Sequence, residues 1–124
     1  MKSKWLGAFL VFLTLMFAEA LASSGKPPLV VIALVKVKPG MELSFKQAAT
    51  KVIEPSRKEK GCVDYDFQQS TEDPTEFSTV EHWKSEQALA DHIETPHVKQ
   101  FFKEVSDLFA PGYPRIRKYR KFGG

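Results

Sequence analysis

Residues 77–102 read F-S-T-V-E-H-W-K-S-E-Q-A-L-A-D-H-I-E-T-P-H-V-K-Q-F-F, and the change of period inside this stretch decides the fold. Up to Trp83 the pattern alternates, which places Phe77, Thr79, Glu81 and Trp83 on one strand face and Ser78, Val80 and His82 on the other. After Ser85 the spacing becomes helical, with Ser85 as the N-cap of a short helix carrying Ala88, Leu89, His92 and Ile93. Thr95-Pro96 starts a second helix, with Val98, Phe101, Phe102, Val105, Leu108 and Phe109 on one stripe. The stretch holds all three histidines of the chain, His82, His92 and His97. A reaction centre is therefore expected at this strand end and helix break.

Upstream, Cys62–Gln68 alternates Val63, Tyr65 and Phe67 against Asp64, Asp66 and Gln68, the pattern of a half-buried strand. The turn-forming S-T-E-D-P-T at 70–75 makes this strand and the next an antiparallel hairpin. From Met41 to about Lys60, apolar residues at 41, 45, 48, 49, 52 and 53 give an amphipathic helix. Pro55 predicts a kink or an end near Ile53, and Gly61 a left-handed cap. Before it, L-V-V-I-A-L-V-K-V at 29–37 is a strand with two apolar faces, ended by Pro39-Gly40. Downstream, Ala110–Pro114 is a loop and Arg115–Phe122 a last strand whose charges suit a sheet edge. The order β-α-β-β-α-α-β is an α+β, ferredoxin-like split βαβ arrangement. Its helices cover one sheet face only, so the second apolar face of the first strand predicts a homodimer.

The chain opens with Lys2 and Lys4, an apolar run from Trp5 to Phe17, and Ala20-Leu21-Ala22. This is the build of a signal peptide over residues 1–22, cut before Ser23, and it predicts an exported protein, periplasmic or secreted. The run of 13 residues is shorter than the roughly 20 a membrane span needs, so no stable membrane anchor is expected. Residues 23–28 form a flexible tail and residues 29–124 a single domain. The net charge is +3, and +2 once Lys2, Lys4 and Glu19 go with the leader. That balance offers no general attraction to nucleic acid. Cys62 is the only cysteine, which excludes an intramolecular disulfide and a CxxC site.

The run from Glu59 to Phe102, with E-K-G-C-V-D-Y, then D-P-T-E-F, then E-H-W-K-S-E-Q-A-L-A-D-H and T-P-H-V, resembles the antibiotic biosynthesis monooxygenase domain, in particular its small quinol-monooxygenase-like members. The resemblance implies a dimeric α+β barrel. In the enzymatic members it implies oxygenation of quinols or polycyclic phenols by O₂ with no metal, flavin or haem. Related domains include isomerases, haem-degrading enzymes and proteins with no known reaction. A non-catalytic domain binding an aromatic or haem-like ligand and a proton-shifting isomerase therefore stand as alternatives. Haem degradation in that group depends on an asparagine on the first strand, and this chain has no Asn.

Such chemistry needs a base with a pKa near neutrality in a dry aromatic pocket, because a deprotonated quinol can itself pass an electron to O₂. His92, on the stripe with Leu89 and Ile93, is the first candidate base. His97, in the first turn after Thr95-Pro96, is the second, and either is equally readable as a packing residue. His82 faces away. Glu81 is a carboxylate among aromatics, placed to orient a histidine, to bind a substrate hydroxyl, or to pair with a C-terminal arginine. Trp83, Tyr65, Phe67, Phe101 and Phe102 are expected to wall the substrate pocket, or else to be plain core. The histidine spacings match no metal-ligand pattern, so no metal is expected.

Overall fold

The computed structural model describes residues 25–123. The expected leader lies outside them. Four strands, β1 (Leu29–Lys36), β2 (Cys62–Gln69), β3 (Glu76–Trp83) and β4 (Arg115–Arg120), form one antiparallel sheet in the order β2-β3-β1-β4. Three helices, α1 (Glu42–Arg57), α2 (Glu86–Ile93) and α3 (Pro96–Val105), accompany it, with a 3₁₀ turn at Ser106–Leu108. This is the ferredoxin-like α+β fold that the element order implied. Among the described residues no helix is long and apolar enough to cross a membrane.

β1 sits inside the sheet, paired on both edges, and only one of its two apolar faces is covered. Its residues Leu29, Val31, Ala33 and Val35 are buried beneath the helices. Phe45 of α1 is fully buried against Phe67, Phe77, Phe101 and Phe109. Burying such a side chain stabilises the fold by about 1.5–3 kcal/mol. On the opposite face Leu34 and Tyr119 are half exposed, and no element among the described residues covers them.

Five local expectations are corrected. α1 runs through Pro55 to Arg57 rather than stopping near Ile53. Its last turn is pinned by the fully buried Ser56 and by Arg57, which donates to the Tyr65 carbonyl and to Asp66, so packing outweighs the lost amide. Gly61 is not a left-handed cap, because the cap position is Lys58 in the right-handed region and Gly61 has no positive φ. Its role is close approach, since a methyl at 61 would overlap Ala88 of α2. Val63 leaves the buried face because the β2–β3 register slips between Cys62 and Asp64, a bulge that leaves Val63 exposed. Finally, α3 ends at Val105, and Phe109 instead bridges to Val37 beside β1. The last strand is also shorter, stopping at Arg120.

Candidate active site

The strand register lays out the floor of the site. One row across the inner face reads Tyr65, Glu81, Val31 and Lys118, and the next Phe67, Thr79, Ala33 and Ile116. Leu89, His92 and Ile93 of α2, with Val98, Phe101 and Phe102 of α3, form the roof. Between them lies a cavity of about 200 Å³, apolar apart from Tyr65, Thr79, Glu81, His92 and Lys118. Ile93, Phe102 and Ile116 are partly exposed and frame its mouth.

Two helix starts place the histidines. The Ser85 hydroxyl accepts from the Ala88 amide at 3.0 Å and caps α2, which brings His92 onto the buried stripe with Leu89. Thr95 then breaks the helical path, its hydroxyl donating to the His92 carbonyl at 2.6 Å, and Pro96 opens α3. On one continuous helix, residues five apart would point about 140° away from each other. The break cancels that divergence, and the two rings meet over one carboxylate. His92 Nδ1 lies 2.7 Å, and His97 Nε2 2.8 Å, from the same Oε2 of Glu59, in the turn between α1 and β2. A carboxylate is an acceptor only, so both of these nitrogens carry hydrogen. In the neutral ring this leaves Nε2 of His92 as a free acceptor. His92 is 4% exposed, and its ring packs between Trp83 at 4.3 Å and Tyr65 at 5.3 Å between centroids.

Glu81, also buried, accepts from the Thr79 hydroxyl at 3.0 Å and from Trp83 Nε1 at 2.9 Å, one donor to each oxygen. These two bonds offset the penalty of burying the carboxylate without a cation. Burial first, and the Glu81 charge second, hold the Tyr65 phenol well above its ordinary pKa, so it stays protonated and able to donate. Burial, followed by the charges of Glu59 and Glu81, likewise pushes the Cys62 thiol up to about 11.

The sequence profile described as "Antibiotic biosynthesis monooxygenase" matches residues 28–104. The chain belongs to this family. It is 32% identical over 89 residues to "Putative monooxygenase YcnE" of Bacillus subtilis, a match covering 72% of this chain and 94% of that protein. It is 34% identical over 108 residues to "Uncharacterized protein sll1783" of Synechocystis, covering 83% of this chain and 74% of that one. Among solved structures, the "Putative antibiotic biosynthesis monooxygenase from Nitrosomonas europaea" superposes with a TM-score of 0.74 at 29% identity, covering 77% of this chain and 91% of that one. At the level of the family, the function is monooxygenase-like.

Within this family fold, the residues singled out from the sequence divide. His92, Glu81, Tyr65, Phe67, Phe101 and Phe102 all line the cavity. Trp83 does not: it is fully buried behind His92, a backing for the ring rather than a wall. His97 lies outside the cavity, beside Ala48, Val52 and Glu104. Glu81 bonds neither a histidine nor a C-terminal arginine; its partners are Thr79 and Trp83, one to each oxygen. The residue that orients the histidines is Glu59, which sequence reasoning missed. It lies 33 and 38 positions from its partners, a separation that no local pattern reveals. Its only signal was its place at the head of E-K-G-C-V-D-Y. The fold also assembles what histidine spacing did not suggest, a carboxylate and two imidazoles whose ligating atoms lie within 4.8 Å of one another. His82 faces the other side of the sheet, 3.7 Å from Asp64.

Proposed function

We propose that the protein is an exported, homodimeric, cofactor-independent monooxygenase acting on a small, single-ring quinol or phenol, with His92 as the base. The observation that carries this reading is His92 on the lining of an apolar cavity with its Nδ1 held by Glu59, an arrangement that leaves Nε2 as the acceptor of the neutral ring. A cavity of about 150 Å³ holds benzene, so about 200 Å³ suits one substituted ring. The second copy would cover the face that exposes Leu34 and Tyr119.

The reaction begins when His92 Nε2 takes the proton of a substrate hydroxyl, and Glu59 stabilises the resulting imidazolium through Nδ1–H. The electron-rich anion passes an electron to O₂, and the radical pair combines to form a C–O bond. Return of the proton and loss of one water leave the hydroxylated quinone, so one quinol and one O₂ give one hydroxyquinone and one H₂O. A ring with two hydroxyls finds a second acceptor in Glu81, and the apolar walls keep water from the intermediate.

The test is oxygen uptake with a panel of substituted hydroquinones. Uptake by the wild type that falls at least about 100-fold in His92→Ala supports the reading, being the size of a general-base contribution. No uptake with any quinol, or uptake undiminished in His92→Ala, refutes it. Exchange of substrate protons into solvent without O₂ consumption would replace it with an isomerase.

A further inference from the structure

We propose that Glu59, His92 and His97 form a binding site for a divalent cation of the zinc class, and that the bound ion turns His92 from an acceptor into a donor toward the cavity. The second half rests on the role given to His92 above; the first half does not.

Two imidazole nitrogens and one carboxylate oxygen are a ligand set that zinc takes, and here they converge from three separate elements. The nitrogens approach Glu59 Oε2 to 2.7 and 2.8 Å. Around a tetrahedral ion with bonds of about 2.0–2.1 Å, neighbouring ligand atoms stand about 3.3 Å apart. Each N···O pair therefore has to open by about half an ångström, while the two nitrogens, which lie within 4.8 Å of each other, close toward the same spacing by rotation of the rings.

The cluster is also reachable. The Glu59 and His97 side chains are 16% and 22% exposed. A surface groove lined by Glu59, Lys60, Gly61, Asp91 and Thr95 reaches the cluster at Glu59 and shares no lining residue with the substrate cavity. An ion can enter there, with a water from the groove as its fourth ligand. Three protein ligands with two imidazoles favour zinc, copper or nickel, whereas magnesium and calcium call for more oxygens.

The ion takes the place of two hydrogens. Metallated at Nδ1, a neutral His92 carries its proton on Nε2, and a neutral His97 metallated at Nε2 carries its proton on Nδ1. Each ring keeps one proton, and only its position changes. Nε2 of His92, which faces the cavity as a lone pair in the metal-free protein, then faces it as N–H and accepts no proton from a substrate.

The experiment titrates the untagged, chelator-stripped chain with Zn²⁺ against a chromophoric chelator, and follows the histidine ring nitrogens by ¹⁵N NMR. Expected are one Zn²⁺ per chain, affinity at least about tenfold weaker in His97→Gln, no competition from Mg²⁺, and a switch of His92 from the Nδ1–H to the Nε2–H tautomer. His82→Ala, on the far face, leaves binding unchanged. The tautomer switch is read on the wild type, so it stands even if a variant misfolds. Absence of saturable binding up to millimolar Zn²⁺, binding that survives His97→Gln, or an unmoved His92 proton overturns the site. If Zn²⁺ binds in this way to a protein that consumes no oxygen with quinols, the proposed reaction falls and the site stands. If an active protein binds Zn²⁺ and keeps its full rate, the effect on His92 falls.

Discussion

Gly61→Ala tests the packing that sets His92 in place. The turn between α1 and β2 passes so close beneath α2 that a methyl at 61 would overlap the Ala88 methyl and lie 3.3 Å from its Cα. Both groups are tethered directly to backbone, so relief requires moving the turn or the helix. Overpacking of this kind costs about 1–3 kcal/mol, and the upper part of that range applies where backbone must move. Against it, alanine at a position without positive φ reduces the freedom of the unfolded chain and returns about 0.4–1 kcal/mol. The net loss is about 1–2.5 kcal/mol, a fall in Tm of roughly 5–15 °C for a domain of this size. Ala88→Gly alone costs about 1 kcal/mol in helix propensity. It also removes the colliding methyl, so in that background Gly61→Ala becomes neutral or mildly stabilising. The four proteins of the cycle are compared by urea denaturation, and the coupling between the two positions is about 1–3 kcal/mol. An equal effect of Gly61→Ala in both backgrounds, or no effect in the wild type, refutes the close-approach account. His92 lies one helical turn beyond Ala88, so Gly61→Ala also weakens its hydrogen bond to Glu59, visible as a shifted His92 ring resonance.

Three other outcomes follow from the structure. Glu81→Ala leaves the Thr79 hydroxyl and Trp83 Nε1 without their acceptor and lowers stability by about 2–4 kcal/mol, whereas Glu81→Gln, which keeps one acceptor, loses less; both are read by urea denaturation. Asp73 is held below the usual carboxylate range, first by the Thr75 hydroxyl and amide and then by Lys36. Its bonds therefore hold the hairpin turn above the unfolded carboxylate value near pH ~4 and are lost as the pH falls through the lower folded value. An NMR titration should place its midpoint below that of an unfolded aspartate, and Thr75→Ala should raise it. With its thiol at about 11, native Cys62 reacts with iodoacetamide at pH 8 about 100-fold more slowly than in urea; equal rates would contradict its environment.

The elements that could be read from the sequence were those fixed by local chemistry. Alternation gave β3, the Ser85 cap and the Thr95-Pro96 step gave both short helices, and the order of elements gave the ferredoxin-like sheet. The misreadings had a common cause, long-range packing prevailing over a local rule. Pro55 is helical because Ser56 is buried in the core and Arg57 is tied to β2. Gly61 is needed for contact with a helix 27 positions away, not for its own φ. His92 was legible as a buried residue on a stripe, but Glu59 was not, since a charged residue in a turn reads as solvated until the fold delivers two imidazoles to it. Trp83 failed as a wall residue for the opposite reason: strand alternation gave its face but not its depth along the strand.

The link at Thr95 has a consequence for how this chain can change over time. Two imidazole rings from different helices depend on a junction of two residues, closed by one hydroxyl on the preceding turn. Inserting or deleting a single residue there would change the direction and offset of α3 relative to α2 and carry His97 out of reach of Glu59. The β2–β3 hairpin at 70–75, remote from the cavity, has no such restriction. Length variation among descendants of this sequence should therefore collect at the hairpin and be absent between His92 and His97, whatever substitutions accumulate around them.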